Sequence, residues 1–351
     1  MKTGLIYKVP FLYRFLEIKP SSCTIIITNR CNLRCVMCKQ WREPVNEELS
    51  TEEWKNIILN LKKNGIRNMH FTGGEPLLRN DFKELVLFCS RNGFVSGVTT
   101  NGFLLTDDIL QGLIDAGLRS IALSIDALDS EYEKIRGLPN SFKQLKQAVA
   151  IISAMKRTVK IDAYLNFTLM KDNIKDLKKV KTFADEAKLP LAICLLDKNS
   201  FIFDLKENSS KFWITEEKDF EYLRGILNFL RNEKIKNPKS LIINFPTIDF
   251  IEDYFRDPRQ ENIPCVSSQD RIIIDPYGNL LGGCMSMGSF GNLKENEFKV
   301  LRNDKKYKIA KRNMFYKNCS GCSCGYLFNI NHIPSLILKD LINRVNFLTL
   351  K

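Results

Sequence analysis

Three cysteines stand close together near the amino terminus, in the run Cys31-Asn-Leu-Arg-Cys35-Val-Met-Cys38. Three thiolates on one short loop can each hold one iron of a four-iron cluster, which leaves the fourth iron open to an exogenous ligand. A structural zinc site takes four ligands, typically in two close pairs. This spacing therefore predicts an iron–sulfur cluster, and zinc fits only if a distant residue supplies the fourth ligand.

A second group of cysteines falls in the last quarter of the chain: Cys265, Cys284, Cys319, Cys322 and Cys324. The first two flank a predicted hairpin with the turn Pro276-Tyr277-Gly278-Asn279, and the pair Cys319/Cys322 has C-x2-C spacing. Two ligands from a hairpin plus a close pair is a metal-site pattern, which suits an iron–sulfur cluster or zinc. The remaining cysteines stand singly in apolar runs and are expected to be buried thiols: Cys23, Cys89 and Cys194.

The composition is that of an ordinary globular protein. The chain has 351 residues, of which 44% are hydrophobic and 26% charged, so wholesale disorder and a collagen-like chain are excluded. The formal charge of +13 suits nucleic acid, an anionic membrane or an acidic substrate, or simply a lysine-rich solvated surface. Nucleic acid is disfavoured, because no basic patch interleaved with aromatic residues is found.

The location expected from the sequence is the cytoplasm. No apolar stretch is long enough for a transmembrane helix, and no signal-peptide cleavage site follows the aromatic-rich start of the chain. Thiols stay reduced there, so clustered cysteines indicate metal ligands and not disulfides. Two basic amphipathic segments, Leu5–Ile18 and Ile333–Lys351, either pack on the protein's own core or make peripheral membrane contact.

Short β-branched runs alternate with amphipathic segments between residues 22 and 200, which predicts parallel βαβ units. The runs are Cys23–Asn29, Arg67–Thr72, Val95–Asn101, Leu118–Asp126, Val159–Thr168 and Leu191–Leu196. Several of them are apolar on one face and polar on the other, so helices are expected on one side and a polar cavity on the other. The predicted fold class is α/β, a partial (β/α)6 TIM-like barrel with a small C-terminal α+β iron–sulfur extension.

The alternation stops near residue 200. A long helix is predicted over Thr215–Lys234, a short strand over Leu241–Phe245, and a hairpin that begins with Arg271–Asp275. The expected organisation is an N-terminal extension (1–21), the barrel (22–200), a connecting helical segment (201–258), an auxiliary cluster domain (259–330) and a C-terminal amphipathic helix (331–351).

The motifs at successive strand ends resemble those of the radical S-adenosylmethionine (AdoMet) enzymes. The C-x3-C-x2-C loop follows the first strand, and the next strands end in Gly73-Gly74-Glu75-Pro76, Thr99-Thr100-Asn101-Gly102 and Ser124-Ile125-Asp126. Arg136-Gly137 then matches an R-G pair that often follows in that family. Each motif alone is weak, but their order along the chain makes the resemblance specific.

The resemblance implies a cofactor set and a reaction. Cys31, Cys35 and Cys38 would hold a [4Fe-4S] cluster whose open iron chelates AdoMet, and an electron from a flavodoxin- or ferredoxin-type reductant would yield a 5′-deoxyadenosyl radical that abstracts a substrate hydrogen atom. The residues implied in cofactor binding lie at strand ends or beside the cysteines. Gly73, Gly74 and Glu75 would bind the amino group, Ser124 and Arg136 the carboxylate or ribose, and Asn166 the ribose. Asn101 is a further cofactor-binding candidate, and Met37 would pack over the adenine, where the family usually has an aromatic residue.

The tail resembles the SPASM/twitch extension of the same enzymes. By that resemblance Cys265, Cys284, Cys319 and Cys322 would hold a second, auxiliary [4Fe-4S] cluster that accepts an electron, with Cys324 either replacing one of them or spare. The expected substrate is a small metabolite such as a sugar or cyclitol; a peptide maturase and a non-enzymatic electron-transfer protein are the alternatives. The candidate acid–base groups are Asp162, Tyr164, Asp197 and Lys198. His70 is expected to be a hydrogen-bonded interior residue.

Overall fold

The fold is that of a computed structural model, which describes residues 19–197, 209–259, 265, 270–315, 319, 321 and 322. Some expectations fall outside this part of the chain: the N-terminal segment Leu5–Ile18, Lys198, Cys324 and the C-terminal helix Ile333–Lys351. Within it, no helix is long and apolar enough to cross a membrane.

A parallel sheet forms the centre of the described molecule. Its eight strands lie in the order β7-β6-β5-β4-β3-β2-β1-β8, so the six predicted barrel strands are adjacent in chain order and one further strand is added at each edge. The strands are β1 (Ser22–Ile26), β2 (Asn68–Thr72), β3 (Val95–Thr100), β4 (Leu118–Ser124), β5 (Asp162–Leu169), β6 (Leu191–Leu195), β7 (Leu241–Ile242) and β8 (Arg271–Ile274). The predicted α/β, TIM-like fold class is confirmed.

The two faces of the sheet differ in polarity, as the alternation predicts. In β5, Ala163, Leu165 and Phe167 are buried, while Tyr164 and Asn166 on the opposite face are only partly covered. The apolar face packs against helices that return the chain between strands. These are α1 (Thr51–Lys63), α2 (Phe82–Arg91), α3 (Asp107–Asp115), α4 (Asp129–Arg136), α5 (Ser141–Met155) and α6 (Leu177–Glu186).

The start of α1 is fixed by its own sequence. Ser50 Oγ accepts a hydrogen bond from the backbone N–H of Glu53 at 3.4 Å, and Glu53 Oε2 accepts one from the N–H of Ser50 at 2.8 Å. This capping box satisfies two donors that a helix start leaves unpaired. It therefore sets where the cysteine-bearing loop ends and the helix begins.

The segment after residue 208 is helical with one short strand. Its helices are α7 (Ser209–Phe212), α8 (Glu217–Lys236) and α9 (Phe245–Arg256). The strand predicted over Leu241–Phe245 is limited to Leu241–Ile242, because Asn244 caps α9: its Oδ1 accepts from the backbone N–H of Thr247 at 2.8 Å.

The predicted hairpin forms, and its first strand also belongs to the central sheet. Arg271–Ile274 pairs in parallel with β1, in register Cys23 with Ile272, and Ile274 bridges Leu280 in the antiparallel sense. Two helices, α10 (Phe298–Asn303) and α11 (Lys305–Phe315), follow. The hairpin turn is thereby placed beside the loop that follows β1.

Candidate functional site

The cysteine loop leaves the carboxyl end of β1, the end of a parallel barrel where active sites are found. Cys35 is buried, and Cys31 and Cys38 are partly covered. Each sulfur accepts one N–H donor: Cys31 Sγ from Leu33 N at 3.5 Å, Cys38 Sγ from Gln40 N at 3.4 Å, and Cys35 Sγ from the Arg136 guanidinium at 3.7 Å. Such donors stabilise a thiolate, which is the form of cysteine that binds metal.

Burial works in the opposite direction on these thiols. It raises the pKa of Cys31 to about 11 and that of Cys38 to about 12, and it also raises the pKa of Cys35, which Arg136 partly offsets. Without a bound cation all three therefore keep their protons at neutral pH. Metal ions would have to supply the positive charge that stabilises the thiolates. Three thiols with N–H donors on one loop thus fit the iron–sulfur cluster that the sequence predicts.

The loop is attached to the end of α4. Backbone N–H groups of Arg34 and Val36 donate to the carbonyls of Arg136 and Ile135 at 3.0 and 2.9 Å. Gly137 follows with φ +67°, and a Cβ there would lie 2.4 Å from the carbonyl oxygen of Arg34. The R-G pair is therefore needed where the helix end contacts the cysteine loop.

The side chain of Arg136 also contacts the cysteine loop directly. Its Nη2 lies 2.6 Å from Asp126 Oδ2, both side chains are buried, and its Nη1 contacts Cys35 Sγ. Burial raises the pKa of the Asp126 carboxyl, and the adjacent guanidinium opposes that shift. Both terminal nitrogens of the guanidinium, Nη1 and Nη2, thus contact protein groups. Its Nε is buried and has no hydrogen-bond partner among the described residues.

The glycines that follow β2 are required by the chain itself. Gly73 has φ +138°, and a Cβ on Gly74 would lie 2.1 Å from the carbonyl oxygen of Arg30. Gly74 N–H donates to the Thr28 carbonyl at 2.8 Å, so the two strand ends run against each other. The sequence predicts that these two glycines let the backbone approach a ligand closely. In the structure they let it approach the start of the cysteine loop.

Glu75 and Asn101 join neighbouring strand ends. The fully buried Glu75 carboxylate accepts from Thr100 Oγ1 at 2.7 Å, from the N–H of Asn101 at 2.8 Å and from the N–H of Leu77 at 3.0 Å. Asn101 Nδ2 donates to Asn32 Oδ1 at 2.8 Å, which connects the end of β3 to the cysteine loop. Through these bonds Glu75 connects the ends of β2 and β3.

Ser124 and Asn166 are register partners on β4 and β5, on the polar face near the carboxyl end. Asn166 Oδ1 accepts the Cys194 thiol at 2.9 Å. Cys194 is therefore on the polar face and only partly covered, which the apolar run around it does not indicate. Cys23 and Cys89 are buried, as expected, and so is Met37, at 4% exposure.

The acid–base candidates are placed differently from one another. Asp162 begins β5 at its amino end, is exposed, and pairs in register with Ser120. It is therefore not with the cysteine loop, and this placement argues against its acid–base role. Tyr164 lies further along β5, where burial raises its pKa. Asp197 is buried just after β6, at the carboxyl end of the sheet.

The interior histidine is where the sequence predicts it. His70 Nε2 lies 2.9 Å from Thr99 Oγ1 on the polar face of the sheet. Burial lowers its pKa to about 4, with a smaller contribution from Arg271. It is therefore a neutral, hydrogen-bonded residue at physiological pH.

Two stretches that carry the later cysteines run side by side. Cys265 is buried and its N–H donates at 3.1 Å to the carbonyl of Phe315, four residues before Cys319. A Cβ on Gly321 would lie 2.3 Å from the carbonyl oxygen of Pro258. Cys284 follows the hairpin and precedes a 3-10 turn, Met285–Met287. In the described part of the chain no three His, Cys, Asp or Glu side chains converge closely enough to hold a metal ion.

A family model matches the part of the chain that contains the cysteine loop. The model of the radical SAM superfamily matches residues 25–184, the stretch that holds the cysteine loop and the strand ends described above. These residues, slightly less than half of the chain, are similar to that superfamily.

Two curated relatives and one solved structure are also similar to the chain. The Fe-coproporphyrin III synthase of Methanosarcina barkeri is 31% identical over 47% of this chain and 41% of its own length. The PqqA peptide cyclase of Granulibacter bethesdensis is 31% identical over 44% of this chain and 41% of its own. The chain thus spans less than half the length of these relatives. The crystal structure of Streptococcus suis SuiB bound to precursor peptide SuiA has a TM-score of 0.66 at 16% identity, over 91% of this chain and 75% of that one, which shows the same fold.

Proposed function

We propose that the chain holds a [4Fe-4S] cluster on Cys31, Cys35 and Cys38, binds AdoMet there and uses it to modify a peptide. The observation that carries the proposal is the loop itself, in which three sulfurs each receive an N–H donor at the carboxyl end of β1. When bound, the cluster would supply one electron that cleaves AdoMet and gives a 5′-deoxyadenosyl radical. A flavodoxin- or ferredoxin-type protein in the cytoplasm is the electron donor we propose.

The chain's own residues hold and shield this chemistry. Glu75 and Asn101 fix the strand ends around the loop. Arg136 offers its remaining Nε to the carboxylate of AdoMet, and Ser124 and Asn166 offer polar atoms to the ribose. Asp197, buried at the same end of the sheet, is the acid–base candidate in the best position.

A peptide substrate is better supported than the sugar or cyclitol expected from the sequence. One relative is named a peptide cyclase. In the described residues β7 and β8 are the two edge strands, so the sheet is not closed into a ring. The relative named Fe-coproporphyrin III synthase makes a porphyrin the second candidate.

An auxiliary cluster on the later cysteines is a separate proposal. The contacts of Cys265 with Phe315 and of Gly321 with Pro258 bring the segments of Cys265, Cys319 and Cys322 together. With Cys284 they make four thiolates, which would close a [4Fe-4S] cluster so that it transfers electrons and binds no substrate.

Iron content and AdoMet cleavage test both cluster proposals. The full chain is reconstituted anaerobically, its iron is counted, and 5′-deoxyadenosine is measured with dithionite and AdoMet. We expect about eight irons in the wild type and about four in both Cys38→Ala and Cys319→Ala/Cys322→Ala, with 5′-deoxyadenosine lost only in Cys38→Ala. Full 5′-deoxyadenosine formation by Cys38→Ala would contradict the assignment of the first cluster. Eight irons retained without Cys319 and Cys322 would contradict the second.

The substrate class is tested by stimulation of AdoMet cleavage. Three probes are compared: a randomised dodecapeptide library, a mixture of hexoses with myo-inositol, and Fe-coproporphyrin III. We expect only the peptides to raise 5′-deoxyadenosine above the uncoupled rate, with a mass change in a subset of them. Stimulation by the sugars or the porphyrin alone would overturn the peptide proposal and leave the cluster assignment intact.

A further inference from the structure

Side chains on either side of the cysteine loop bond to each other. Asn29 stands two residues before Cys31 and Gln40 two residues after Cys38, and Gln40 Nε2 donates to Asn29 Oδ1. Both side chains are buried, at 6% and 3% exposure. The bond joins the two ends of the stretch that holds all three thiols, and it shortens the free loop that must otherwise be ordered.

A tyrosine that is distant in the sequence also bonds to Asn29. Tyr277, in the hairpin turn after β8, accepts from Asn29 Nδ2 at 3.2 Å through its hydroxyl oxygen, and its O–H donates to the Pro44 carbonyl at 2.8 Å. The adjacent carbonyl of Pro276 accepts from the N–H of Leu49 at 2.9 Å. One turn thus contacts the start and the end of the loop between β1 and α1.

The same network reaches a cluster ligand. The backbone N–H of Gln40 donates to Cys38 Sγ, so the residue whose side chain bonds Asn29 also contacts the third sulfur. Asn29 and Gln40 lie in the interior, where an amide that loses its partner is costly. Loss of the Tyr277 hydroxyl would leave the Asn29 amide without that acceptor and would weaken the hold on Cys38.

We propose that Tyr277, Asn29 and Gln40 form a clasp by which the C-terminal part of the chain fixes the cysteine loop. All three are positioning residues, since they act on the loop through Asn29, Gln40 and the backbone at Cys38. The inference rests on the proposed function only for the identity of the cluster that the loop would hold. Whether the clasp immobilises the loop is a property of the metal-free chain and is tested there.

The test is alkylation of the reduced, metal-free full chain with iodoacetamide, read residue by residue by mass spectrometry. Tyr277→Phe removes one hydroxyl. Tyr254→Phe is the matched control, because the Tyr254 hydroxyl also donates to a backbone carbonyl, that of Leu196, at 3.0 Å. Cys89, wholly buried in α2, reports opening of the whole fold. We expect Cys38 to react at least threefold faster in Tyr277→Phe, with Cys89 unchanged, and neither rate to change in Tyr254→Phe.

A second variant tests the network as a unit. Gln40→Met keeps the length of the side chain and removes its amide. If the two residues act in one network, their effects do not add. The combined Tyr277→Phe/Gln40→Met protein should therefore react at Cys38 no more than about 1.5-fold faster than the faster single variant. Equal Cys38 rates in Tyr277→Phe and wild type would overturn the clasp, as would a parallel rise at Cys89. If the wild type binds no iron, the proposed function fails while the alkylation result still decides the clasp.

Discussion

The buried pair of Asp126 and Arg136 gives the sharpest energetic prediction. Asp126 is wholly buried, and its carboxylate lies 2.6 Å from the Arg136 guanidinium and accepts the backbone N–H of Thr168 at 3.0 Å. Asp126→Ala removes this ion pair and this hydrogen bond and leaves the buried Arg136 cation without its ion-pair partner. Breaking a buried pair in this way costs about 3–5 kcal/mol.

The size of the effect can be expressed as a melting temperature. With an unfolding entropy of about 2.1 cal/mol/K per residue, a chain of this length loses about 5 °C for a loss of about 4 kcal/mol. Differential scanning fluorimetry of the metal-free protein measures this shift. Asp249→Ala is the matched control, because Arg231 and Asp249 make an ion pair of the same 2.6 Å length with side chains that are 35% and 62% exposed. An exposed pair contributes about 0–1 kcal/mol, or about 1 °C here.

Equal shifts in Asp126→Ala and Asp249→Ala would refute the reasoning, because burial is the difference between the two pairs. A third protein separates charge from shape. Replacing both partners, as Asp126→Leu with Arg136→Met, removes the stranded charge and should recover much of the lost stability. A double variant less stable than Asp126→Ala would show that packing, and not the uncompensated cation, sets the cost.

Three further predictions concern single residues. Gly74→Ala should lower the iron content to about four, as Cys38→Ala does, because its Cβ would lie 2.1 Å from the carbonyl of Arg30, whereas Gly225→Ala, which meets no atom within 4 Å, should load iron normally. Glu75→Gln should lower the free energy of unfolding by about 2 kcal/mol in urea titrations, because an amide group would face N–H and O–H donors that the carboxylate now accepts; an unchanged midpoint would contradict this. His70 has a folded pKa of about 4, below the ordinary value of 6.5, so the unfolded chain takes up its proton first and stability falls as pH drops below about 6.5. Between pH 7.5 and 5 His70→Asn should therefore lose about 2 kcal/mol less than wild type, and equal losses would show that this histidine is not protected from protonation.

Local sequence patterns account for the central strands and their polar face. Alternation in β5 predicts that Ala163 and Phe167 are buried and that Asn166 is on the other face, because side chains in a strand point to opposite sides in turn. The same local character makes the cysteine loop and the strand-end motifs recognisable from the sequence. Each of these features depends on residues that are close in the chain.

Contacts between distant parts of the chain were not predictable in this way. The pairing of β8 with β1 joins Arg271 to Ser22, and nothing in either segment specifies the other. Arg136 illustrates the same limit within the site. Its motif indicates a place near the cofactor, whereas its contacts with Asp126 and Cys35 depend on how α4 packs against the loop.

Three separate parts of the protein therefore contact the cysteine loop. The end of α4 binds its backbone at Arg34 and Val36, the end of β3 reaches it through Asn101, and the hairpin turn contacts it through Tyr277. Burial raises the pKa of these thiols, so binding a metal as thiolates would require the loss of their protons. A site that is already ordered loses little conformational entropy when it is filled. The fold thus supplies the geometry, and the cluster would supply the charge that the buried sulfurs lack.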